Sequence, residues 1–139
     1  MKLKREILWP IALIVIVFLA SGRSKLASPD VGFSYDKIVH FLVFGLIATS
    51  VLRIQIIIRK GWKGVCITIL LVSCYGIFDE FRQSFTAGRT VDPKDWIADT
   101  SGAILASVIY FKWGWYRKTL EMQFPDPDSK DITGKRQLV

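Results

Sequence analysis

Four apolar runs separated by charged stretches constrain this chain more than any other feature. They are 7–20 (ILWPIALIVIVFLA), 38–58 (IVHFLVFGLIATSVLRIQIII), 62–81 (WKGVCITILLVSCYGIFDEF) and 96–116 (WIADTSGAILASVIYFKWGWY). A bilayer core of about 30 Å needs about 20 helical residues. The last three runs meet that need, and the first is short at 14 strictly apolar residues. Its Pro10 is expected near the helix start, where proline disturbs a helix least. The basic residues before run one and the Ala20-Ser21-Gly22 after it also resemble a cleaved signal peptide. The three later runs favour a retained membrane helix, because the whole chain has to be inserted anyway. The expectation is an all-α polytopic membrane protein with four transmembrane helices.

Composition agrees. With 139 residues, 51% of them hydrophobic, the chain suits one domain and is too apolar to stay disordered. Two cysteines make no disulfide framework, and one histidine excludes a multi-histidine metal site. Cys66 and Cys74 are eight apart on one predicted helix, hence about 12 Å apart and expected to be free. The net charge of +7 can signal nucleic acid. A nucleic-acid domain would not carry Ile11 to Ala20 as a nearly unbroken apolar stretch, so no nucleic-acid partner is expected.

Lysine and arginine then set the orientation. With the N-terminus inside, 13 of the 19 basic residues fall on the inner side and 6 on the outer side. Seven of the 12 acids, Asp30, Asp36, Asp79, Glu80, Asp92, Asp95 and Asp99, fall outside. The expected bundle is N-in/C-in. Residues 1–6 form a cytoplasmic N-terminus, 7–118 the membrane domain and 119–139 a polar, disordered cytoplasmic tail. Arg53 is expected to snorkel to the headgroups. Trp9, Trp62, Trp96, Trp113 and Trp115 sit at run ends, as an interfacial belt requires.

Three polar groups lie at the expected outer ends of runs two, three and four. The first is Asp36, Lys37 and His40, with Asp36 and His40 four apart on one helix face. The second is Asp79, Glu80 and Gln83, where Asp79 and Gln83 share a face and Glu80 points about 100° away. The third is Arg89 followed by Asp92, Asp95 and Asp99, with Asp95 and Asp99 on one face. Ionisable residues at membrane depth are costly and seek partners inside the bundle. Asp36, Lys37, His40, Asp79, Glu80, Gln83, Arg89, Asp95 and Asp99 are therefore expected to converge on one outward-opening cluster. Arg89 is expected to be held by Asp79, Glu80 or Asp95. His40, beside so many acids, is expected to carry charge and to bridge Asp36 to a carboxylate of run three.

The pattern Asp36-Lys37-x-x-His40-Phe41-x-x-Phe44-Gly45, then Asp79-Glu80-x-x-Gln83-x-Phe85, then Gly88-Arg89 with Asp92, Asp95 and Gly102, resembles the VanZ-like family. The likeness covers residues 35–110, with the three motifs in family order. It departs at Asp99, where many members carry asparagine. The resemblance implies a small bacterial envelope protein of the cytoplasmic membrane, with the polar cluster on the extracytoplasmic side, in a family named for teicoplanin resistance, with no reaction assigned. Two readings of the cluster follow. It binds a membrane lipid or lipid-linked envelope precursor, with Arg89 and Lys37 on a phosphate. Alternatively it is a membrane enzyme acting on a headgroup, with His40 as base or nucleophile. A proton-coupled carrier ranks third. No cofactor and no resident metal are expected, a carboxylate-held divalent cation being a variant of the enzyme reading. The oligomeric state is open.

Overall fold

The computed structural model describes residues 2–22, 34–86 and 91–120. Among them lie six helices and no strand: α1 Lys2–Ser21, α2 Ser34–Leu52, α3 Gln55–Ile58, α4 Trp62–Gln83, α5 Pro93–Lys112 and α6 Gly114–Leu120. Two of them, α2 over Tyr35–Leu52 and α4 over Trp62–Gln83, are long and apolar enough to cross a membrane. The expected tail lies outside the described residues from 121 onward.

The helix limits follow local chemistry. α5 begins ahead of its apolar run because Asp92 caps it: the Asp92 Oδ1 accepts from the Lys94 N–H at 2.9 Å and Pro93 fills the first helical position. Run two does not make one helix. α2 stops at Leu52, Ile54 adopts extended backbone at φ −63°, ψ 121°, and α3 adds a single turn. The chain then reverses at Gly61, whose φ of 58° is left-handed. Pro10 sits buried in the interior of α1 rather than at its start, since the basic residues before it are helical too.

α2 and α5 run parallel and in the closest contact of the fold, with Lys37 beside Asp95, His40 beside Asp99 and Phe41 beside Gly102. A Cβ on Gly102 would stand 2.0 Å from the Phe41 carbonyl oxygen, and one on Gly45 3.3 Å from both the Gly102 oxygen and the Ala106 methyl. Small residues are thus what lets the two backbones meet. α4 runs antiparallel to both and completes the core. Phe44, Ile47, Ala48 and Val51 of α2, Val72 of α4 and Ala103 of α5 form its main cluster, and Leu52, Val65 and Tyr110 a second one. α1 leans on this trio.

The distribution of polarity is inverted relative to a water-soluble bundle. Leu42, Leu46, Leu70, Leu71, Phe78, Phe81, Ile104 and Leu105 are exposed, while Asp79, Glu80, Gln83, Asp95 and Asp99 are buried. Water rewards the opposite arrangement. Apolar side chains facing lipid and charges facing the bundle interior are what a membrane selects.

Candidate functional site

The N-terminal ends of α2 and α5 and the C-terminal ends of α1 and α4 meet at one end of the bundle, and the polar residues gather there. Lys37 of α2 forms a 2.8 Å ion pair with Asp92 and a second ion pair with Asp95. Lys37 donates first and foremost among the groups that hold the Asp92 carboxyl below its usual value, followed by the Lys94 N–H. One turn deeper, His40 Nδ1 lies 2.9 Å from Asp99 Oδ1, with the Asp99 side chain 1% exposed. The His40 ring also stacks against Phe44, centroids 6.1 Å apart.

α4 faces two ways, as the spacing of Asp79 and Glu80 requires. Asp79 turns towards α1 and takes three partners: Ser21 Oγ donates to its Oδ1 at 2.7 Å, Arg82 at 3.0 Å, and Gln83 donates to its Oδ2 at 2.7 Å. Arg82 also donates to Ser21 and sits 4.3 Å over the Phe18 ring. Glu80 turns towards α5 and accepts from the Asp92 N–H at 3.0 Å. Below, Tyr75 donates to the Ile14 carbonyl at 3.0 Å, and Trp96 donates to Ser73, which also bonds Thr100.

Two carboxylate oxygens in this end, Glu80 Oε1 and Asp99 Oδ2, are buried without a partner among the described residues. Asp99 Oδ2 faces Gly76, where an added Cβ would stand 3.0 Å away. Asp36, His40 and Asp95 bring one ligand atom each within 4.8 Å of one another. A carboxylate that accepts from Nδ1–H fixes the imidazole tautomer and leaves Nε2 as a base, nucleophile or metal ligand.

The sequence reading meets the structure unevenly. Lys37, His40, Glu80, Asp95 and Asp99 come together, and Asp36 joins them. Asp79 and Gln83 do form a pair, but on the α1 side of α4. Arg89 lies outside the described residues. His40 pairs with Asp99 of α5, not with a carboxylate of run three, because α2 packs most tightly on α5. Trp96 is half-buried and hydrogen-bonded inside the bundle rather than part of an interfacial belt. Trp9, Trp62, Trp113 and Trp115 are exposed, and Cys66 and Cys74 are free and exposed. Ser21 and Arg82 join the polar end too, although the sequence motifs give neither a role. The sign of it in the sequence is a serine closing an apolar helix at the depth of an Asp-x-x-Arg on another.

The motif-bearing ends of α2, α4 and α5, distant in sequence, thus meet at one polar end of the bundle, with Asp79 and Gln83 on its α1 side, inside an apolar exterior. No curated protein and no solved structure matches the chain. A family model described as VanZ/LLP1 matches residues 3–115, a stretch that holds all three motifs, and the chain belongs to that family.

Proposed function

We propose that this is a four-span membrane protein of the bacterial cell envelope whose polar end binds the headgroup of a lipid or lipid-linked cell-wall precursor. α1 and α5, at 20 residues each, reach about 30 Å at about 1.5 Å per residue and match α2 and α4 as spans. The 13 to 6 split of basic residues supports N-in/C-in, with the polar end on the extracytoplasmic face. The observation that carries the proposal is the drawing-in of Lys37, His40, Glu80, Asp95 and Asp99 at the edge of an otherwise lipid-compatible bundle. A site at that depth meets headgroups and acyl chains together. A link to glycopeptide (teicoplanin) resistance is part of the same proposal, and membership of the VanZ-like family is what supports it.

Native mass spectrometry of the purified protein tests it. A lipid or lipid-linked species retained by wild type and lost from Lys37→Ala supports headgroup binding. Equal retention of bulk phospholipid by both proteins refutes it. Topology is tested separately by single cysteines at Ser28, Ser84 and Ser129 in a chain with Cys66 and Cys74 replaced. Labelling of position 129 from outside intact cells overturns the orientation.

The His40–Asp99 pair favours a second reading, headgroup hydrolysis or transfer with His40 Nε2 as base or nucleophile. His40→Gln abolishing turnover of a bound headgroup while binding persists supports catalysis. Retention of function by His40→Lys points to charge alone.

A further inference from the structure

We infer that Asp36, His40 and Asp95 form a binding site for a divalent transition cation of the Mn2+ or Zn2+ class, placed to meet the phosphate of a headgroup. The inference deepens the headgroup reading above and rests on it for the phosphate, but the cation site itself stands on this chain's own residues. Three features carry it. The first is geometry. The three ligand atoms already lie within 4.8 Å of one another, drawn from two helices that pack rigidly in parallel. Neighbouring ligands of one such ion stand about 3 Å apart at bond lengths of about 2.1 Å, so small side-chain rotations complete the contact.

The second feature is the support behind the histidine. Asp99 engages Nδ1 at 2.9 Å from a buried position and orients the ring, leaving Nε2 as its ligating nitrogen. Carboxylate–histidine–metal triads use this arrangement, and the outer carboxylate tunes the ligand. The third is an independent excess of acceptors. Glu80, 4% exposed, keeps Oε1 without a partner among the described residues, and its carboxylate is within electrostatic reach of Asp95, His40 and Asp99. Buried carboxylates need cations, and beside Lys37, which Asp92 and Asp95 share, Glu80 and Asp99 each keep a buried oxygen without a partner among the described residues. Lys37 does not block the site. It also pairs with Asp92, so it keeps a partner when one Asp95 oxygen serves a metal.

The donor set selects the ion. One imidazole with two carboxylates suits Mn2+ and Zn2+ better than Ca2+, which takes six to eight oxygens, or copper, which favours softer or nitrogen-rich sites. Water or a phosphate oxygen would complete the coordination.

The test uses the full-length protein in lipid nanodiscs, stripped with chelator and titrated with Mn2+ and Zn2+ by calorimetry. One ion per chain is expected. Asp36→Asn and His40→Gln should each weaken binding at least tenfold, and Asp99→Asn less. Asp79→Asn, which removes a charge on the α1 side of α4 and outside the triad, should change affinity less than threefold. Equal losses in Asp79→Asn and Asp36→Asn would mean diffuse attraction and overturn the site. Pulsed electron paramagnetic resonance of Mn2+ in the wild type needs no variant. A 14N coupling from the one histidine supports the site, and its absence at full loading overturns it. The two proposals fail separately. Mn2+ held with 14N coupling but no lipid retained leaves the cation site standing and removes the headgroup reading. Lipid retained equally with and without chelator, and no stoichiometric ion, does the reverse.

Discussion

Gly102→Ala should dismantle the polar end without touching a polar atom. Its Cβ would stand 2.0 Å from the Phe41 carbonyl oxygen and 2.8 Å from the carbonyl carbon, against an ordinary contact of at least 3.4 Å. The obstacle is backbone, so it cannot rotate away. α2 and α5 would have to part by about 1 Å or more, an overpacking cost of about 1–3 kcal/mol. His40 adjoins Phe41 and Asp99 lies one turn from Gly102, so their 2.9 Å contact would open beyond hydrogen-bond range. A lost buried bond to a charged group adds about 1.5–3 kcal/mol. Thermal unfolding in detergent should then show a midpoint about 10 °C lower than wild type. The chain has one histidine, so 15N NMR of the imidazole reads the pair directly, and the Nδ1–H signal should be lost. Gly114→Ala, with nothing within 4 Å of the added methyl, should leave both readouts unchanged. A Gly102→Ala protein that melts with wild type and keeps the Nδ1–H signal would refute the account of how α2 and α5 pack.

Asp92→Asn keeps the α5 cap, since asparagine caps as well as aspartate, but loses the charge paired with Lys37; it should cost less than about 1 kcal/mol at neutral pH. In the wild type the Asp92 carboxyl lies below its unfolded value, so its contribution is full above about pH 4 and fades as pH falls through the lowered value. Acid melting curves should therefore converge for wild type and Asp92→Asn as pH falls, and a difference that stays undiminished at the most acid pH would contradict this. Ser21→Ala removes a donor from Asp79 and should cost about 1 kcal/mol, with faster hydrogen exchange in α1 and not in α5. Asp79→Ala leaves Arg82 facing the interior without its carboxylate and should cost about 3–5 kcal/mol; a melting point near that of Ser21→Ala would show Arg82 to be satisfied elsewhere.

Helical period made part of this site readable in advance. The spacing of Asp79 and Gln83 predicts a shared face, and the two side chains do bond. α4 starts at Trp62 directly after Gly61, as its apolar run does, and runs two polar residues beyond Phe81 to Gln83. What period cannot give is the register between helices. Whether His40 meets α4 or α5 depends on where two backbones touch, and that is decided by Gly45, Gly102 and Ala106 acting in concert. The break after Leu52 is hidden for another reason. Arg53 interrupts the run, but Ile54, Ile56, Ile57 and Ile58 keep it apolar, so hydropathy runs through a turn that the backbone takes. Trp96 misleads because its indole serves an interface and an interior hydrogen bond equally well, and only its neighbour Ser73 decides between them.

α1 is fastened differently from the other long helices. Leu8, Trp9, Ile11, Ile16 and Leu19 face outward, and hydrogen bonds fix it at three heights: Glu6 accepting from the Gln55 N–H, the Ile14 carbonyl accepting from Tyr75, and Ser21 donating to Asp79. The His40–Asp99 and Lys37–Asp95 pairs involve none of it. The pairs that join α2 to α5 therefore do not need α1, which is fitted to the other three as a separable clasp. Co-expressed as its own polypeptide, it should find its three anchor points in the membrane and rejoin the rest, much as a strap fits a finished case.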